Sequence, residues 1–232
     1  MARGPERGRG GYGMKKAAFF IVGILLLPVI PACGWAAVRQ VTLGETVARD
    51  TWLFIAGVLT YGFVHLFLHR PLAMHVFGHE LTHVVWSRLF GGKVTQFKVS
   101  EAGGHVVVTK SNFLVELAPY FFPLYAVVVV LLYGLLALID APRPWFGLLV
   151  ALLGVTFGLH LAMTVHTLRS RQSDLAGVGY VFALPFILIM NIAVLMLFAA
   201  LVMPQVRYGA FLADSARGTA RAYTEIIAWM HP

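Results

Sequence analysis

Cysteine is nearly absent: Cys33 stands alone in 232 residues. A disulfide framework needs two thiols and a cysteine-ligated zinc site at least two thiolates, so the chain by itself builds neither. Charge is scarce as well. Lys, Arg, Asp and Glu make up 12% of the residues, against roughly 25% in an ordinary soluble domain. Only 10 residues are acidic against 18 basic, for a formal net charge of +8. The basic residues gather at the N-terminus or between apolar blocks, without stripes interleaved with aromatics. That distribution argues against nucleic acid as the partner and for a positive-inside bias facing anionic lipid. Internal repeats are lacking, and low complexity is confined to the Gly/Arg-rich beginning. Residues 1–16 are expected to be a disordered basic segment.

What the sequence has in abundance is apolar length. A helix crosses a hydrocarbon core in about 20 residues, and six blocks approach or exceed that: 17–38, 51–69, 72–90, 114–139, 145–168 and 178–203. The expected fold is therefore an all-α polytopic membrane protein of about six transmembrane helices, with a single membrane domain over residues 17–206. Pro28 and Pro31 should kink the first block, and Arg70 with Pro71 marks a helix restart. Arg3, Arg7, Arg9, Lys15 and Lys16 precede the first block as in a signal peptide. The apolar run nevertheless continues past Cys33 to Val38, so an uncleaved helix is expected. Residues 91–112, "GGKVTQFKVSEAGGHVVVTKSN", alternate polar and apolar side chains and read as a β-hairpin divided by Gly103 and Gly104. Residues 207–232 mix Arg, Ala, Tyr and Ile at helical spacing and read as an interfacial amphipathic tail.

The block 72–90 is the most polar of the six, and it contains "HELTH" from His79 to His83. On a helix, residues four apart lie on one face, so the imidazoles of His79 and His83 converge on one point. Zinc takes imidazole nitrogen at about 2.0–2.1 Å and in catalytic sites keeps three protein ligands and a water. Glu80 flanks that point, where a carboxylate takes the proton from an attacking water. Ionisable groups inside a membrane helix are costly and mark functional sites by default. Histidines serving only as hydrogen-bonded glue between helices would leave Glu80 without a reason. His75, one turn earlier, reads as a packing histidine, an outer hydrogen-bond partner or an extra ligand. His65 and His69 repeat the spacing without a glutamate and read as interfacial.

The third ligand must come from elsewhere. Asp174, in "RQSDLAGVGYVF", opens the last apolar helix beside Gly177 and Gly179, and is the leading candidate, with helix capping as its plain alternative. His160, His166 and His105 are fallbacks. Glu116 reads as interfacial and Asn112 as a turn residue of the hairpin.

With these residues in place, the chain resembles the site-2 protease family of intramembrane zinc metalloproteases, in its short bacterial form without an inserted periplasmic domain. "HELTH" on an apolar helix, "GGKV" after it, the hairpin segment "GGHVVV" and a late helix near an acidic residue carry the resemblance, over about residues 72–200. The resemblance implies zinc held by His79, His83 and Asp174, with Glu80 activating water. It also implies a bacterial inner-membrane location and a membrane-protein substrate. Two features depart from the family pattern. The aspartate is followed by Leu175 and Ala176 before Gly177, rather than directly by glycine, and "APYFFPLY" (Ala118–Tyr125) replaces a Gly-Pro and asparagine element. Orientation also conflicts: a cytoplasmic N-terminus and two preceding helices point the motif helix outward, opposite to the family. Either the first block is removed or does not span, or residues 72–90 are re-entrant, or the resemblance misleads on topology.

The leading expectation is a zinc-dependent intramembrane endopeptidase. A proteolytically inactive metal-binding membrane protein that holds client helices is second. A transporter or haem-binding subunit using the remaining histidines is third. If the first holds, an open edge of residues Gly103–Thr109 should receive substrate as an added strand, since a helical peptide hides its carbonyls.

Overall fold

A computed structural model describes residues 9–42, 49–68, 70–100, 103–138, 145–169 and 173–231. Among these, the fold is mostly helical, with one two-stranded antiparallel sheet. The elements are α1 (Arg9–Leu26), α2 (Val29–Thr42), α3 (Arg49–Phe63) continued by a π turn (Val64–Leu68), α4 (Leu72–Leu89), β1 (Val94–Ser100) and β2 (Gly103–Val108). They are followed by α5 (Phe113–Phe121), α6 (Leu124–Leu138), α7 (Phe146–Leu168), α8 (Ser173–Val178), α9 (Tyr180–Val202) and α10 (Tyr208–Met230).

Among the described residues, three helices are long and apolar enough to cross a membrane: Arg49–Leu68, Phe146–Leu168 and Tyr180–Val202, with mean hydropathy 1.7, 2.1 and 2.7. Two bent pairs would raise the number to five. The expected six differ from this in the motif block. Helix α4 is not among the candidate spans, because His75, His79, Glu80, His83 and Arg88 lower its hydropathy. The block 114–139 is not one helix either: α5 and α6 meet at 75°, since Pro123 cannot continue the helix and Phe122 is extended. The first block bends by 40° between Leu26 and Val29, at Pro28 as expected. Helix α1 already starts at Arg9, inside the segment expected to be disordered; residues 1–8 of that segment lie outside the described residues.

The α3–α7 contact is a close approach of backbones. A Cβ placed on Gly154 would lie 2.1 Å from the Phe54 carbonyl oxygen, and one on Gly57 2.2 Å from that of Ala151. Glycines at such a crossing let two helices touch along their main chains, the packing mode that works where lipid gives no hydrophobic drive. Around them, Phe54, Leu153, Phe157, Met196 and Val202 form the larger apolar cluster. Outward, Phe20, Leu59, Leu131, Leu135 and Leu188 are exposed.

The tail is a helix, α10, that packs on α2. Buried Gln40 is satisfied at both ends, its amide donating to Asp214 at 3.4 Å and its carbonyl accepting from the Arg207 N–H at 3.3 Å. The Tyr223 hydroxyl donates to the Leu25 carbonyl.

Helix α4 ends in a Schellman turn. Gly91, at φ 73°, reverses the chain; its N–H reaches the Arg88 carbonyl at 2.9 Å and that of Gly92 reaches Ser87 at 2.8 Å. Ser87 then donates to the Lys110 carbonyl at 2.8 Å, tying the far end of the hairpin to α4. The strands pair from Val94↔Val108 to Ser100↔Gly103. Gly103 and Gly104 thus belong to β2 rather than dividing the hairpin as expected; residues 101–102 lie outside the described ones.

Candidate metal centre

Helix α4 carries His79 and His83 on one face, their ring centroids 5.0 Å apart. The third group arrives from α8. Sequence reading put Asp174 at the start of the last apolar helix; the structure gives it a short helix of its own, cut from α9 by Gly179 at φ 86°, where a left-handed residue is needed. Leu175, wholly buried with Leu117, Ala118 and Phe182, holds α8 against α5 and α9. This anchor turns Asp174 toward α4. Its Oδ2 lies 3.3 Å from Nε2 of His79 and 3.5 Å from Nε2 of His83. One ligand atom from each residue falls within 4.8 Å of the others, so the three form a group able to hold a metal ion.

The surrounding hydrogen bonds favour a cation. Nδ1 of His83 sits 2.8 Å from the Val115 carbonyl, which has no proton to give, so the ring must donate there. In the neutral tautomer this leaves a lone pair on Nε2, facing the Asp174 carboxylate. Two acceptors at 3.5 Å repel unless a proton or a metal ion stands between them. Asp174 is further oriented by Tyr120, whose hydroxyl donates to Oδ2 at 3.1 Å. Tyr120 itself is buried and sets its ring edge against His79, centroids 5.3 Å apart. Its carbonyl receives the Asn191 side-chain amide at 2.9 Å, and the Asn191 Oδ1 meets Nε2 of His160 at 3.0 Å. Beside these, Phe113, Phe121 and Phe186 meet edge to face around Trp86 and Phe19, while Phe182 stacks on Phe186 at 22° and sets its edge against Phe113; such pairs contribute about 0.5–1.5 kcal/mol each.

Glu80 is buried next to the pair and lines the same cavity of about 500 Å3 as His79, His83, Asp174 and residues Gly104–Val108. Strand β2 crosses it so closely that a Cβ on Gly104 would lie 2.5 Å from Cγ of Glu80 and 2.7 Å from Val76. Gly104 is therefore a contact glycine, and this is why it stands inside a strand.

The remaining candidates are placed elsewhere. His75 pairs with Thr167 at 2.7 Å, and His160 with Asn191 as above. His166 lines a different cavity with His65. His105 lines the Asp174 cavity, but is outside the metal-ligating group found among the described residues. His69 lies outside the described residues. Glu116, expected at the interface, is half-buried and faces the cavity, accepting from Ser111 at 3.3 Å, because α5 starts beside α8. Asn112 caps α5, its Oδ1 accepting the Val115 N–H at 3.0 Å, rather than turning the hairpin. Sequence reasoning missed Tyr120 and Asn191. Their signal is a polar group inside the apolar runs "APYFFPLY" and "ILIMNIAV", which must find partners when buried.

Comparisons with family models, with curated proteins and with solved structures find no match to the chain.

Proposed function

We propose that the chain is a zinc-dependent intramembrane endopeptidase of the site-2 protease kind, acting in a bacterial inner membrane on a peptide bond in or near a transmembrane segment of another protein. The observation that carries this reading is the arrival of Asp174, 95 residues along the chain from His79, at the Nε2 atoms of both motif histidines. Donors about 2.0–2.1 Å from a tetrahedral zinc stand about 3.4 Å apart, and the 3.3 and 3.5 Å separations fit that spacing. Two imidazoles, one carboxylate and an open cavity match the composition of a catalytic zinc site. The exposed apolar faces of α1, α3, α6 and α9 support a bilayer setting, since so much contiguous apolar surface is not left open to water.

When bound, zinc supplies a Lewis acid that acidifies a water and polarises the scissile carbonyl. Glu80, buried beside the ligands, would be the group that holds the proton released by an attacking water and hands it to the leaving amine. Asp174 keeps its oxygen directed at the histidines through Tyr120, and His83 keeps Nε2 available through Val115. Residues Gly104–Val108 border the cavity as consecutive strand positions, which suits an extended substrate segment added to the free edge of β2.

Glu80→Gln tests the mechanism. The variant should retain metal while cleavage of a reconstituted transmembrane substrate falls by at least about 10³-fold, more than the 10²–10⁴ range's lower end for a proton-transfer group. Cleavage surviving at the wild-type rate sinks the proposal.

A further inference from the structure

A second cavity, of about 450 Å3, shares no lining residue with the one at Asp174. It opens between α3 and α7 near their C-terminal ends. The two helices are parallel there, Gly154 meeting Phe54 and Gly57 while Gly158 meets Val58 and Tyr61. Val58, Leu161 and Val165 make its lining apolar, and His65, Arg70, His166 and Arg169 make it basic. Among the described residues no carboxylate lies within ion-pair distance of either arginine. Cations at helix C-termini complement the dipole, but that effect calls for no cavity and no convergence of four basic groups on one.

The local backbone is also unusual. Helix α3 widens at Val64–Leu68 into a π turn, a rare conformation that recurs at functional sites. Within it, Nδ1 of His65 lies 3.3 Å from the Tyr61 hydroxyl. With Tyr61 donating, the ring proton of His65 sits on Nε2, a further donor. Leu66 and Phe67, on the same turn, are 69% and 71% exposed, so the apolar surface continues outward from the cavity.

We propose that this cavity binds the phosphate of an anionic phospholipid headgroup, with Arg70 and Arg169 as its principal partners and an acyl chain along the apolar α3–α7 surface. The proposal rests on the reading that α3 and α7 span a bilayer, which puts both arginines at headgroup depth, where each basic residue adds attraction to anionic lipid. It is independent of the metal centre and of proteolysis.

Native mass spectrometry of the full chain released from detergent, after addition of dioleoyl phosphatidylglycerol or dioleoyl phosphatidylcholine, reads the contact directly. Phosphatidylglycerol should remain bound where phosphatidylcholine does not. Arg70→Gln combined with Arg169→Gln should cut its retention by roughly tenfold or more, while Lys98→Gln on the hairpin should leave it unchanged. If the double variant loses its fold, each single substitution carries the same test and should weaken retention by several-fold. Equal retention of the two lipids, or a folded arginine variant that binds like the wild type, overturns the proposal. Displacement of phosphatidylglycerol by an equal concentration of inorganic phosphate assigns the site to a free anion and overturns the lipid as occupant.

Discussion

The α3–α7 pair and the layer of α4, β2, α5 and α8 are held together by opposite means. In the pair, glycines bring two long apolar helices into backbone contact, and the packing needs no polar partner. In the layer, the elements meet through directed contacts, Ser87 to Lys110, His83 to Val115 and Tyr120 to Asp174, with Asn191 of α9 bracing Tyr120. The first arrangement is tolerant of side-chain chemistry and intolerant of volume. The second depends on side-chain chemistry as well as on volume, and the candidate chemistry lies there because directed hydrogen bonds are what hold ligand atoms to within a few tenths of an ångström.

That contrast can be broken from either side. The largest effect is expected at Gly154→Leu, which drives a side chain into the Phe54 carbonyl. Overpacking of this kind costs about 3 kcal/mol, read as a lower thermal midpoint in detergent, while metal affinity of the folded fraction stays at the wild-type value. Next comes Gly104→Val. Its branched side chain must displace Glu80 or lift β2, and a misplacement of about 1 Å lowers cleavage by about a hundredfold; metal content should hold. The smallest is Tyr120→Phe, which removes one hydrogen bond to Asp174. Loss of such a partner lowers metal affinity by about tenfold, measurable by competition with a chelator. A thermal midpoint that fell as far in Tyr120→Phe as in Gly154→Leu would erase the distinction between the two regions.

The same contrast explains what the sequence made legible. The grouping of His79 and His83 could be read because helical spacing is a local property, and the approach of Asp174 to them because a carboxylate beside an apolar run needs a reason to be there. The three long helices and the hairpin followed from apolar length and from alternation. The α5–α6 bend was missed although Pro119 and Pro123 were in view, because hydropathy continues unbroken through "APYFFPLY" while the backbone does not. Gly104 reads as a divider of the hairpin because a glycine pair signals a turn locally. Its real constraint is Glu80, 24 residues earlier, which no local pattern contains. Tyr120 and Asn191 were missed for the same reason, since their partners sit on other helices.

The central claim is that Asp174 completes a zinc site begun by His79 and His83. Metal analysis of the purified full chain tests it most directly, wild type against His79→Ala and Asp174→Ala. About one zinc per chain is expected in the wild type, and a small fraction of that in both variants under the same chelator wash. Full zinc in Asp174→Ala, with zinc lost from His79→Ala, would contradict it.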